Sequence, residues 1–261
     1  AGARLIISSH PRVMGIVANF LTRDKDAEDR VLPYGAGTLK AEKVIACDVA
    51  YDTMADVDEA TKADRHYQKH GDFTVRGLME AVKKDFGALD ILIHSVAYSP
   101  EIKNSFIETS RKAYLTALSI SAYSLAALLR EGRSLMANRP GGASAVGLTY
   151  LGGERVVPHY GGGMSTAKSA LQIDCKQLAH LLGPQNIRVN LVSAGPYASR
   201  AARSIGDIQQ MIDHAKAHSP LPRAIEPEEV ANTTAFLCSP LDSAITGQIV
   251  YVDCGYNIMG V

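Results

Sequence analysis

Short runs of β-branched and apolar residues alternate with amphipathic stretches along this whole chain, and that alternation constrains its fold more than any other feature. Residues 4–8 (RLIIS), 43–47 (KVIAC), 91–94 (ILIH), 143–150 (ASAVGLTY), 187–192 (IRVNLV) and 248–252 (QIVYV) read as strands. Between them apolar residues recur at helical spacing: Val13, Ile16, Val17 and Phe20, then Val75, Leu78, Met79 and Val82 within 74–86. Further helices are predicted over 109–129, 165–182 and 227–237, the last with Pro227 in its first turn and acids beside it. Residues 22–42 read as loop. Residues 50–72 are charged and poorly patterned, with a short solvated helix over 58–65. Strands that alternate with helices form a parallel sheet covered on both faces. Ligands then bind beyond the carboxyl ends of the strands. No repeat or linker interrupts the pattern, which predicts one domain over 1–261.

Composition narrows the functional classes. Lys plus Arg and Asp plus Glu are 27 each, a balance that argues against a general nucleic-acid or membrane-surface binder. No apolar run is read as long enough to span a membrane. Cys47, Cys175, Cys238 and Cys254 form no CxxC pair, and the eight histidines show no HExxH pattern, so no metal site is expected. The chain opens on Ala1-Gly2-Ala3-Arg4 and runs straight into a strand, with no signal or transit segment in view.

The residues suited to chemistry follow the strands. Tyr160 and Lys168 lie eight positions apart in HYGGGMSTAKSA, after a strand and loop and at the opening of a helix. A tyrosine at its ordinary pKa is a poor acid–base group at neutral pH. A nearby ammonium is expected to stabilise the phenolate and lower that pKa. The same ammonium can bond a nicotinamide ribose. Tyr150 ends the fourth strand and either reaches into the cleft or packs as an ordinary aromatic. Ser193-Ala194-Gly195-Pro196 follows the fifth strand, where small residues admit a flat ring or simply make a turn. Asp48 follows the second strand and either accepts from an adenine amino group or caps a helix. Ser95, Val96 and Ala97 follow the third strand as a possible cofactor wall; His94 before them reads as a hydrogen-bonded strand residue. After the first strand, SSHPR carries no acid for a ribose 2′-hydroxyl. Arg12 there either meets a 2′-phosphate or is solvated, so NAD and NADP both stay open.

Together these motifs resemble the short-chain dehydrogenase/reductase superfamily, and within it the enoyl-acyl-carrier-protein reductases, in a plastid-type or related bacterial branch. The stretches HSVAYSPEI, ETSRKAYLTALSISAYS, LTYLGGERVVPHYGGGMSTAKSAL, IRVNLVSAGPYASRAARSIG, LCSPLDSAITG and YVDCGYNIMGV carry the resemblance, from about residue 89 onward. It implies a Rossmann-like, doubly wound α/β sheet and hydride transfer from NADH to the β-carbon of a trans-2-enoyl thioester during fatty-acid elongation. Tyr160 would bond the thioester oxygen as it becomes an enolate, Lys168 would hold the nicotinamide ribose, and Tyr150 would border the substrate. Asp48 and Val49 would contact adenine. Ser95, Val96, Ala97, Ala194, Gly195, Pro196 and Tyr197 would flank the nicotinamide side, and Ser199 the diphosphate. Met164, Ala201, Ala202 and Ile205 would face the acyl chain, the last three within a mobile lid over about 200–216. Acyl carrier protein would be the partner, met by a rim of Arg200, Arg203, Lys216 and Arg223 unless these are ordinary solvated charges. The resemblance also implies a homotetramer in bacterial cytoplasm or plastid stroma.

Two departures are visible. The family opens with a strand, a Gly-rich diphosphate loop and a helix, and no such unit precedes AGARLIIS. The first βα unit is therefore expected to be missing, leaving a gap in the sheet and weak cofactor binding. His10 also stands where the plastid branch usually has another aromatic residue. The alternatives are another short-chain carbonyl reductase, which would need Tyr and Lys four apart with an upstream Ser, and a remnant without catalysis.

Overall fold

The computed structural model describes residues 2–199, 202 and 207–260. The chain divides into two compact units, Ala1–Gly87 and Ala88–Val261.

The first unit holds β1 (Ile6–Ser9), α1 (Met14–Thr22), β2 (Lys43–Ala46), α2 (Glu59–Ala63) and α3 (Val75–Phe86). β1 and β2 pair in parallel, with Ile6 opposite Lys43 and Ser9 opposite Ala46. Local chemistry sets the bounds of α3: the Thr74 hydroxyl accepts from Gly77 N–H, and Gly87 closes the helix in the left-handed region at φ 73°. Residues 22–42, read as loop, hold three single 3-10 turns and a bridge between Val31 and Thr38. The charged stretch 50–72 is not a solvated appendage. Val57 and Tyr67 are buried within it and cluster with Ala46 and Phe73. The rings of Tyr67 and Phe73 meet edge-to-face at 4.8 Å. Each such side chain contributes about 2 kcal/mol through burial, which is what holds an otherwise polar stretch down.

The second unit holds β3 (Ile91–His94), α4 (Arg111–Leu118), α5 (Ser124–Met136), β4 (Ala143–Thr149), α6 (Met164–Leu182), β5 (Ile187–Ala194), α7 (Ile208–His218), α8 (Pro227–Cys238) and β6 (Ile249–Val252). The strands form a parallel sheet in the order β3-β4-β5-β6. β4 and β5 are its buried centre, with Val146, Val189, Leu191 and Val192 fully covered. Helices lie on both faces. Val192 packs with Leu237 of α8. Leu191, its neighbour and so on the other face, approaches Leu125 of α5 around Gly147. A glutamate-based capping box opens α8 behind Pro227, as the acids in its first turn predict. The α/β architecture with parallel strands matches the sequence reading.

The helix expected to stop at residue 129 continues to Met136, and α4, a π-turn (Ser119–Tyr123) and α5 run on without a break. The resulting Arg111–Met136 run is long and apolar enough, by length and composition, to cross a membrane. Half of its most apolar window is buried inside the protein, where Leu125, Leu129 and Met136 are fully covered. In the sequence, Arg130, Glu131 and Arg133 mask the apolar face that continues past them.

Candidate active site

The second unit's site is assembled by two turns. After β4, Tyr150 enters a tight turn whose Gly152 leaves no room for a side chain. A Cβ there would lie 2.7 Å from the Tyr160 ring and 3.1 Å from the Tyr150 ring. Its absence lets the two tyrosines converge edge-to-face at 5.0 Å. After Tyr160, Gly162 adopts φ 60°, and its carbonyl accepts from Ser99 Oγ at 2.7 Å. This turn delivers the chain into α6, so that Lys168 lies one turn inside the helix. Lys168 is 5% exposed, and its Nζ donates to the Leu148 carbonyl at 2.9 Å.

Burial lowers the Lys168 ammonium to about 8. Burial also pushes the Tyr160 phenol above its ordinary value, with Tyr150 adding to the effect. The expectation that a neighbouring ammonium would lower the Tyr160 pKa is therefore overturned. The Lys168 Nζ hydrogen bond in place is to Leu148, and desolvation of the phenolate dominates. Tyr160 is a neutral O–H donor at neutral pH.

A cavity of about 1020 Å³ opens on these groups. It gathers Tyr150, Tyr160, Met164 and Lys168 with Ser95 and Ala97 beyond β3. Beyond β5 it takes in Ala194, Gly195, Pro196, Tyr197 and Ser199, and then Ala202. Val96 is half-buried and does not line it. Ala201 and Ile205 lie outside the described residues, as do Arg200 and Arg203 of the expected basic rim. Lys216 is exposed, whereas Arg223 is engaged by Glu229 through two bonds of 2.8 and 2.6 Å.

Ile208 and Met211 complete the apolar wall from α7, a helix that the reading of 200–216 as a lid did not anticipate. Their spacing with Ile212 and Ala215 was the available signal. Glu101 also lines the cavity, but its carboxylate is committed to the start of α4, accepting from Ser110 N–H and Oγ at 2.8 Å each. Among the described residues no cluster of His, Cys, Asp and Glu could hold a metal ion.

In the first unit, Asp48 follows β2 by two positions, with its carboxylate buried. Oδ2 accepts from the Tyr67 hydroxyl at 2.7 Å and lies 3.3 Å from His10 Nε2; Oδ1 accepts from Ala50 N–H at 3.0 Å. Burial raises this carboxyl, but the bonds from His10 and Tyr67 outweigh that and leave it below the usual range. Asp48 therefore caps a turn rather than a helix. Val49 beside it is half-buried. In the sequence Tyr67 shows only as a lone aromatic in a charged stretch.

Residues 18–257 match the family model described as enoyl-(acyl carrier protein) reductase. The chain is 46% identical over 262 aligned residues to the chloroplastic NADH-dependent enoyl-acyl-carrier-protein reductase of Arabidopsis thaliana, covering all of this chain and 66% of that protein. It thus spans about two thirds of the length of that curated relative. Among solved structures, the Plasmodium berghei enoyl-acyl-carrier-protein reductase with triclosan superimposes with a TM-score of 0.93 at 36% identity, over 98% of this chain and 89% of that one. The Anaplasma phagocytophilum enzyme in complex with NAD gives 0.77 at 31%, over 100% and 86%. A match spanning both tyrosines, the lysine and the strand ends around them means that this chain belongs to the enoyl-acyl-carrier-protein reductase family.

Proposed function

We propose that this protein reduces trans-2-enoyl-acyl-carrier-protein thioesters with NADH, in fatty-acid elongation. The observation that carries the reading is the convergence of a neutral Tyr160, a buried Lys168 and an apolar-walled cavity at the carboxyl ends of β3, β4 and β5. The residues present fit a nicotinamide cofactor. Lys168 spends one hydrogen on Leu148, and an ammonium carries two more that can meet ribose hydroxyls. Small residues, Ser95, Ala97, Ala194 and Gly195, flank the place a flat ring would take, beside Pro196 and Tyr197. Ser199 is assigned to the diphosphate, and Asp48 and Val49 to adenine. When bound, NADH supplies the hydride.

Tyr160 donates its hydrogen bond to the thioester oxygen as negative charge develops there. A positioned donor of this kind contributes most when water is excluded, and the cavity is lined mainly by apolar groups. Tyr150, packed against Tyr160, fixes the donor's direction and borders the substrate. Met164, Ala202, Ile208 and Met211 give the acyl chain its wall, and Ala201 and Ile205 are assigned to the same wall. The two units together are read as one reductase domain, with the 200–216 stretch as its substrate lid. Acyl carrier protein is the partner, and Lys216 is a cation available to meet it. A homotetramer, located in plastid stroma or bacterial cytoplasm, completes the reading. The spacing of eight between Tyr160 and Lys168 disfavours a short-chain carbonyl reductase, which needs four.

The test is NADH oxidation, followed by nicotinamide absorbance, with a crotonyl thioester as substrate. Turnover that depends on Tyr160 supports the reading. Turnover of ketones in place of enoyl thioesters would overturn it.

A further inference from the structure

Arg12 follows β1 by three positions, where dinucleotide folds read the ribose of the adenosine half. An acid there selects a free 2′-hydroxyl and an arginine selects a 2′-phosphate. The segment Ser8-Ser9-His10-Pro11-Arg12 carries the arginine and no acid, which by itself favours NADPH. The structure supplies the missing acid from elsewhere. Arg12 Nη2 donates to Asp64 Oδ2 at 2.6 Å, across 52 positions of sequence.

Asp64 is not a loose surface acid. It closes α2, its N–H bonds the Thr61 carbonyl, and its Oδ1 accepts from His66 N–H at 2.8 Å. Three residues on, Tyr67 pins the segment into the core of this unit. The guanidinium of Arg12 also lies 5.9 Å from the Tyr67 ring centroid, which fixes the other partner. His10 between them is held at both nitrogens: Nδ1 accepts from Arg12 N–H at 3.2 Å, and Nε2 lies 3.0 Å from the Tyr67 hydroxyl.

We infer that the Arg12–Asp64 pair is the determinant that makes this protein select NADH over NADPH. Asp64 cancels the one charge in SSHPR that would attract a 2′-phosphate, and its own charge repels that dianion. A 2′-hydroxyl loses nothing, because a carboxylate accepts its hydrogen. The inference rests on the reductase reading and assigns to the charged 50–72 stretch the task of carrying this acid. Arg12 is well exposed and Asp64 partly so. Water therefore screens the pair, and discrimination of roughly ten- to thirtyfold is expected rather than thousands.

The experiment compares the wild-type chain with Asp64→Asn and with Asp64→Asn combined with Arg12→Gln. Asparagine keeps the shape and the bond from His66 while removing the charge. Dissociation constants for NAD+ and NADP+ are read by calorimetry, since the chain has no tryptophan to report binding. The expected result is that Asp64→Asn tightens NADP+ about tenfold, leaves NAD+ within about threefold, and loses the gain when Arg12 is also replaced. The ratio of kcat/KM for NADPH and NADH should move in parallel. Unchanged NADP+ affinity in Asp64→Asn, a gain that survives Arg12→Gln, or no dinucleotide binding in any variant would each overturn the inference. A shift in binding preference without turnover of enoyl thioesters would leave it standing and sink the reductase reading instead.

Discussion

Replacing Lys168 with methionine should make the cofactor-free protein more stable while abolishing reduction. Methionine nearly matches the lysine stem in volume. The depression of Lys168 from 10.5 to about 8 measures how poorly the folded protein tolerates its charge. At roughly 1.4 kcal/mol per tenfold change in proton affinity, that is a penalty of about 3 kcal/mol. Against it stands the lost bond to the Leu148 carbonyl, about 1 kcal/mol. The net gain is about 2 kcal/mol, or roughly 5 °C in melting temperature for a chain of this size. The pH dependence gives the sharper test. Below pH 8 the lysine is charged in both folded and unfolded states, and the penalty is present in full. Between about 8 and 10.5 the folded state binds fewer protons than the unfolded one, so wild-type stability rises with pH relative to the variant. Above 10.5 the penalty is gone. Melting both proteins by circular dichroism from pH 7 to 10.5 should show the variant ahead by about 5 °C at neutral pH, with the gap closing through that window. A variant that melts at or below wild type at pH 7, or a gap that ignores pH, would refute the claim that Lys168 is held charged at a cost.

Other outcomes follow from the same geometry. Tyr160→Phe should lower kcat/KM by roughly 10²- to 10³-fold with the NADH dissociation constant unchanged, because only a bond made in the transition state is lost. In wild type, kcat should fall as pH rises through about 8, when Lys168 loses the proton that holds the ribose; a profile that stays flat to pH 9.5 would contradict this. Gly162→Ala places a Cβ 2.5 Å from the Glu101 carbonyl at a φ of 60°, and urea unfolding should register a loss of about 3 kcal/mol or more.

Strands and helices were legible in the sequence wherever burial on both faces or a strong amphipathic period left a continuous pattern. β3, β5 and α6 fall within two residues of their expected ends. That Tyr160, Lys168 and the small residues beyond β5 would share one cavity was legible because a parallel sheet opens its cleft beyond the carboxyl ends of its strands. What stayed hidden shares one property: its meaning depends on a partner distant in sequence. Tyr67 looks like an aromatic stranded among charges until Asp48, 19 positions away, is seen to accept its hydrogen bond. Asp64 is one acid among many until Arg12 reaches it. The Tyr160 pKa is hidden for the same reason: the sequence puts a lysine nearby but does not show that its bond goes to Leu148.

His94 completes the electrostatic logic of the site. Ser124 gives its single hydroxyl hydrogen to the Ile120 carbonyl at 2.6 Å, so its oxygen must accept from His94 Nε2 at 2.7 Å. This fixes the tautomer with hydrogen on Nε2 and leaves Nδ1 as a bare lone pair, buried and without a partner among the described residues. Burial first, and then the charge of Lys168, lower the imidazole to about 3. The ring therefore stays neutral at any pH at which the protein works. A second cation beside Lys168 would drive its ammonium to lose its proton, whereas a neutral ring does not. Tyr160 is neutral because a phenolate is too costly there, and His94 because an imidazolium is. Of these three groups Lys168 is the one that keeps a charge near neutral pH, within about a unit of losing it. In this arrangement negative charge that develops on the proposed enoyl thioester meets a tyrosine that has kept its proton.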